Sequence, residues 1–99
     1  MSDTVVMPCN ATASSDVKWT WNTTDGHFHC IYNKGTISDF SAIMAYYSIL
    51  NASAGDYSLK IDNVHPTYNG FYVCFDNNGS QIVRYHLVAK STFHNIVGK

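Results

Sequence analysis

The sequence predicts an all-β protein built as a two-sheet sandwich. Three observations carry that prediction. The 99 residues contain no Glu and are rich in Tyr, Val, Ile, Thr and Ser, a balance that favours strands over helices. Turn-forming clusters recur at "NATASSD", "NTTDG", "NKG", "NASAGD", "HPTYNG" and "DNNGS", with short β-rich runs between them, which is the spacing of a sandwich. Most of those runs alternate apolar and polar side chains, as strands buried on one face do.

Taken in chain order, "TVVMPC" sets Val5, Met7 and Cys9 on one face. In "DVKWTW", Val17 and Trp19 share a side with Trp21 in line, while Lys18 and Thr20 oppose them. "HFHCIY" reads as a further strand. The segment from Ile37 to Leu50 is least regular: "FSAIMAYYSIL" has enough apolar residues to pass for a helix, but it lies between strands joined by short turns and is read as a strand. "DYSLKIDNV" turns Tyr57, Leu59 and Ile61 one way and Ser58, Lys60 and Asp62 the other. "GFYVC" puts Tyr72 and Cys74 together. "IVRYHLVA" directs Val83, Tyr85 and Leu87 inward, with Arg84 and His86 outward. Between the last two strands, "DNNGS" is a hairpin turn, where Asn78 and Gly79 take left-handed backbone angles at low cost.

A chain of this length makes one domain, residues 1–99, with a single modest core. Seven Asp against five Lys and one Arg leave the charge nearly balanced. That excludes the basic face that nucleic acid requires, and no basic amphipathic helix is present to lie on a membrane. The tripeptide N-x-[ST] occurs at Asn10, Asn22, Asn51 and Asn78, an excess over chance, and each falls at an expected strand end or turn where a glycan fits. As a set they point to the secretory pathway, where disulfides persist. The longest apolar run, "AIMAYYSIL", has nine residues, far too few to cross a bilayer. The chain therefore reads as an ectodomain, with any membrane anchor expected in segments outside it.

Cys9 and Cys74 sit at inward positions of an early and a late strand. Trp19 follows the first by ten residues, and Tyr72 precedes the second by two. Cysteine, tryptophan, then tyrosine-x-cysteine is the immunoglobulin framework, in which a Cys9–Cys74 bridge joins the two sheets, the Trp19 indole packs on the sulfurs, and the Tyr72 hydroxyl reaches backbone across the preceding turn. One part departs from the variable-type pattern: where such domains carry Asp six residues before the second cysteine, this chain has Tyr68, so packing or hydrogen bonding must replace the usual ion pair.

The stretches "SDTVVMPCNAT", "VKW", "NKGTISDFSA", "GDYSLKIDN", "NGFYVC" and "IVRYHLV" resemble the extracellular V-like domain of the integrin-associated protein family, over about residues 2–90, and the short hairpin after Cys74 is most similar to the poxvirus-encoded homologues. The resemblance implies an immunoglobulin V-like fold with a truncated first strand. It also implies a place on the outer face of the plasma membrane as part of a multi-spanning protein, and binding to signal-regulatory protein alpha on macrophages, restraining phagocytosis. Integrins and thrombospondin are further partners that it implies. By position, Lys18 and Asp25 match family contact residues, and Phe75, Asp76, Asn77, Asn78 and Gly79 occupy the contact loop after the second cysteine. That loop is about four residues shorter than in mammalian members and lacks their glutamates. It keeps one acid, Asp76, and gains a sequon at Asn78. The cysteine that precedes "SDTVV" in the family, and ties the domain to a membrane loop, is absent.

Cys30 has two open readings, a buried free thiol or a bond to another chain or segment. With His27 and His29 it spells a zinc-like "HFHC", but on a strand both histidines face away from the thiol, so no metal site and no cofactor are expected. His65, His86 and His94 read as surface residues. Trp21, Phe28 and Tyr32 either form an exposed aromatic face or, in the case of Trp21, cover the core edge. No phosphate loop, nucleophile elbow or paired glutamates support an enzyme. Two roles remain: a viral mimic that binds the myeloid receptor, or an extracellular cap acting through lateral association with integrins.

Overall fold

The computed structural model describes residues 4–11, 16–33, 36–37, 47–89 and 94–98. Among these residues nine strands alternate with turns: β1 (Val5–Met7), β2 (Lys18–Thr23), β3 (Phe28–Asn33), β4 (Thr36–Ile37), β5 (Tyr47–Asn51), β6 (Asp56–Ile61), β7 (Gly70–Phe75), β8 (Gln81–Ala89) and β9 (His94–Gly98). Single 3-10 turns, Ala52–Ala54 and Pro66–Tyr68, precede β6 and β7. The strands form two antiparallel sheets, ordered β1-β6-β5 and β4-β3-β2-β7-β8-β9. The all-β two-sheet expectation therefore holds. So does the strand reading of residues 47–50, whereas residues 38–46 of the irregular segment lie outside the described residues.

The inward positions read from the sequence are buried, but Thr20 and Ser58, read on the outward faces, are buried as well. Thr20 lies on a strand flanked by β3 and β7, and the Ser58 hydroxyl accepts from the Cys9 N–H at 3.2 Å and donates to the Asp56 carboxylate at 2.6 Å. Val5, Met7, Cys9, Val17, Trp19, Tyr57, Leu59, Ile61, Tyr72, Cys74 and Leu87 line the core, and Val83 and Tyr85 pack against it half-buried. Cys9 and Cys74 are bonded to each other. Trp19 stands opposite Cys74 in the β2–β7 register, is completely buried, and donates its indole N–H to the Tyr57 carbonyl at 2.7 Å. A buried indole without such an acceptor would cost free energy, so this bond also fixes the spacing between the sheets.

The turn before β7 is held by two tyrosines. The Tyr72 hydroxyl donates to the Tyr68 carbonyl, closing the corner expected of the framework. Burial, followed by the nearby Tyr68, pushes the Tyr72 phenol well above its ordinary pKa. Tyr68 occupies the position of the missing carboxylate by packing: it is buried and meets Trp21 edge-on at 6.4 Å and His65 at 5.8 Å. Asn69 adds a pair of side-chain bonds to the end of β8, accepting from the Ala89 N–H at 2.6 Å and donating to the Ala89 carbonyl at 3.2 Å.

Two expectations are corrected. Of the two readings of Trp21, the one that sets it over the core holds, and Tyr32 does not belong to an exposed aromatic face. Trp21 is completely buried, stacked on Tyr72 at 5.7 Å, and Tyr32 is buried opposite Trp19. The cause is a bulge: Trp19 pairs with Tyr32 but Thr20 pairs with Cys30, so the extra residue Ile31 shifts the alternation and turns Tyr32 inward. Only Phe28 of the three is exposed. Nor is His86 a free surface group: it is half-buried and stacks on Phe71 at 4.4 Å. The other edge of β8 is covered by β9, a strand the sequence reading did not assign.

Candidate functional site

Lys18 begins β2 and Phe75 ends β7, and the register places them side by side. On the outer face, the Lys18 ammonium lies 5.4 Å from the centre of the Phe75 ring, a cation–π contact. Beyond Phe75 the chain reverses through Asp76, Asn77, Asn78, Gly79 and Ser80. The Asp76 N–H donates to the Ser80 carbonyl at 2.8 Å and the Gly79 N–H to the Asp76 carbonyl at 3.0 Å. The Asp76 carboxylate accepts from the N–H groups of Asn78 and Ser80, both at 2.9 Å. An Asp at this position organises a turn by mimicking backbone. Gly79, at φ +81°, closes it.

Among the described non-glycine residues only Asn63 has a positive φ, so the left-handed role expected of Asn78 falls to Gly79 alone. The loop is thus a three-residue connection with a left-handed glycine rather than a two-residue Asn-Gly turn. Asn77, Asn78, Gly79 and Ser80 are all exposed at its tip.

Asp16, Lys18, Asn33, Asp76, Asn77 and Gly79 enclose a recess of about 250 Å³ at this end. Five of the seven proposed contact residues therefore meet around one feature: Lys18, Asp76, Asn77 and Gly79 in its wall and Phe75 beneath the Lys18 head group. Asn78 stands beside them on the tip. Asp25 does not join them. It lies past the other end of β2, in the Thr23–His27 turn, where it lines a separate recess of about 390 Å³ with Trp21, Thr23, Thr24, His27, His29, Pro66 and Thr67. There the Thr23 hydroxyl donates to its carboxylate and His27 Nδ1 lies 3.0 Å from the same oxygen. These two hydrogen bonds hold the Asp25 pKa down to about 2.

The remaining candidates are dispersed. Asn51 is exposed at the end of β5 and Asn10 at an isolated bridge to Asp56, whereas Asn22 is half-buried on the outer face of β2. Cys30 is half-buried, and its sulfur lies 3.8 Å from the Tyr32 carbonyl oxygen. His65 is exposed, and the side chain of His94 lies outside the described residues. Sequence reading missed Asp16 and Asn33 as members of the recess. The β2–β3 pairing that brings Asn33 opposite Lys18 depends on the bulge, which leaves no periodic signal.

Comparison with known families identifies residues 2–87 with the immunoglobulin V-set domain. No curated protein matches the chain. The matched region ends within β8, so β9 lies beyond it. No helix among the described residues is long and apolar enough to cross a membrane.

Proposed function

The chain belongs to the immunoglobulin V-set family, whose members are typically extracellular or cell-surface binding modules rather than enzymes, and on that premise we propose that it is the ligand domain of a viral mimic of integrin-associated protein. In this reading it displays the β7–β8 hairpin end to signal-regulatory protein alpha on macrophages and other myeloid cells and so modulates phagocytosis. One observation carries the reading: Lys18 on β2 meets Phe75, Asp76, Asn77 and Gly79, more than fifty positions later in sequence, at one recess. A rigid hairpin presenting a cation, a carboxylate and backbone groups fits a polar receptor surface, where charge complementarity sets orientation and on-rate. Glycans at the exposed Asn10 and Asn51 and membrane attachment through segments outside this chain belong to the same reading.

The test is surface plasmon resonance against purified signal-regulatory protein alpha. Saturable binding is expected, weakened about tenfold or more by Lys18→Ala. Replacing half-buried Lys60, on β6 of the opposite sheet, is expected to leave it unchanged. Binding that is absent, or equally sensitive to both substitutions, would overturn the reading.

A second reading is favoured by Asp76 itself. Its carboxylate is engaged by two loop N–H groups, and the Asn78 sequon stands on the tip, so a glycan there would crowd a receptor. In this alternative the domain caps a multi-spanning protein that acts by lateral association with integrins, with thrombospondin as a further ligand. Co-precipitation of integrins by cell-surface protein that lacks receptor binding would favour it.

A further inference from the structure

Among the described residues, the outer face of the six-stranded sheet carries one large exposed ring, Phe28, which is 62% accessible. Its surroundings say what covers it. The Thr23 N–H donates to the His27 carbonyl at 2.8 Å, which makes Thr23 and His27 the hydrogen-bonded pair of that hairpin. Asn22 and Phe28, the next pair in register, therefore form the non-hydrogen-bonded position, where facing side chains stand closest. On its other side Asn22 faces Phe71, but that ring is already taken: the Arg84 guanidinium lies 4.1 Å from its centre and His86 stacks on it at 4.4 Å. Among the described residues nothing hydrogen-bonds the Asn22 side-chain amide. Asn22-Thr23-Thr24 is a sequon, and Thr24, its hydroxyl residue, is exposed.

We propose that Asn22 carries an N-linked glycan whose first N-acetylglucosamine packs its C–H face against the Phe28 ring and shields the upper outer face of the sheet. The acceptor amide is in reach of modification, and the sugar that leaves it must pass the facing side chain. A pyranose presents axial C–H groups on one side, and an aromatic ring presents an electron-rich face to receive them. The occupant thus removes from water the large exposed ring of Phe28. The glycan stands at the end of β2 remote from Lys18. The four residue steps from Lys18 to Asn22 span about 13 Å, so it leaves the hairpin recess open. The proposal rests on the extracellular placement typical of the family and not on the identity of any receptor.

The test uses the whole chain secreted from mammalian cells. Glycopeptide mass spectrometry is expected to find Asn22 occupied, and occupancy is expected to vanish in Thr24→Ala but persist in Thr24→Ser. After trimming every glycan to a single N-acetylglucosamine, the sugar protons at Asn22 are expected upfield of those at Asn10 and Asn51 in NMR spectra, with the shift lost in Phe28→Ala. The trimmed protein is also expected to melt about 4 °C above Thr24→Ala, and Phe28→Ala is expected to abolish that difference. A secreted chain bare at Asn22 overturns the proposal, as does an occupied chain whose sugar shows no ring-current shift. Because no receptor enters the assay, neither result bears on the receptor reading.

Discussion

At the level of single residues, the Thr23–His27 turn offers the clearest electrostatic prediction. Asp25 is exposed, yet its carboxylate is held down to about 2 from 3.8, first by the Thr23 hydroxyl and then by His27. A depressed carboxyl pKa stabilises the folded turn above the ordinary carboxylate value and loses that contribution as pH falls through about 2. In a carbon-detected NMR titration the Asp25 midpoint is therefore expected near 2, moving toward 3.8 in Thr23→Val. His27→Ala should raise it too, because it removes the second side-chain hydrogen bond and the electrostatic attraction of the imidazole. Near neutral pH neither substitution is expected to move the melting temperature appreciably, since exposed pairs contribute little. The turn residues were visible in the sequence as a cluster, but their mutual bonding was not. The sequence does not reveal that Thr23 both donates to Asp25 and accepts the His27 N–H at 2.9 Å. The framework residues behaved differently. Cys9, Trp19, Tyr72 and Cys74 were legible because each role depends on parity within a strand and on order along the chain, both of which survive in one dimension.

At the level of elements, what the sequence hid were departures from regularity. Tyr32 was misplaced because one extra residue in β3 inverts the alternation beyond it, and a similar shift between Cys74 and Phe75 leaves Ile82 unopposed in β8. Neither leaves a composition signal. β9 escaped because its five residues, "HNIVG", are too few and too weakly alternating to stand out. The two glycines flanking β7 show how element geometry sets mutational cost. A Cβ on Gly70 would stand 2.0 Å from the Asn22 carbonyl oxygen and 3.0 Å from the Trp21 indole nitrogen, at φ +142°. Backbone on one side and a buried indole on the other leave it nowhere to go. A Cβ on Gly79 would meet nothing within 4 Å, so only the φ of +81° opposes it. Gly70→Ala is accordingly expected to destabilise the protein by about 3 kcal/mol or more, and Gly79→Ala by roughly 1 kcal/mol. Urea unfolding of the two variants checks both; equal costs would show that the strand pairing, and not the close approach, governs this region.

At the level of the whole molecule, the two sheets share one core and one covalent link, and the link closes a loop of 65 residues. In the loop-entropy account, removing it restores unfolded-state freedom equivalent to about 4 kcal/mol. For a domain of this size that corresponds to a melting temperature lower by about 20 °C. Cys9→Ala/Cys74→Ala is expected to show a loss of that order. The loss should be somewhat larger if the space left against Trp19, which faces Cys74 in register, fails to close. The two contributions can be separated. Reduction of the wild-type bridge removes the covalent constraint but keeps both sulfurs in the core, so the reduced wild type should be more stable than the double alanine variant. Cys30 supplies the internal control, since it belongs to β3 and sits on the outer face, across the sheet from the bridge. Cys30→Ser should leave the melting temperature within a few degrees of wild type. Peptide mapping of the folded chain must then recover residues 9 and 74 in a single cross-linked fragment. Cys30 bonded natively to either of them would mean that the sheets are joined in another register, and the recess around Lys18 and Asp76 would have no fixed frame.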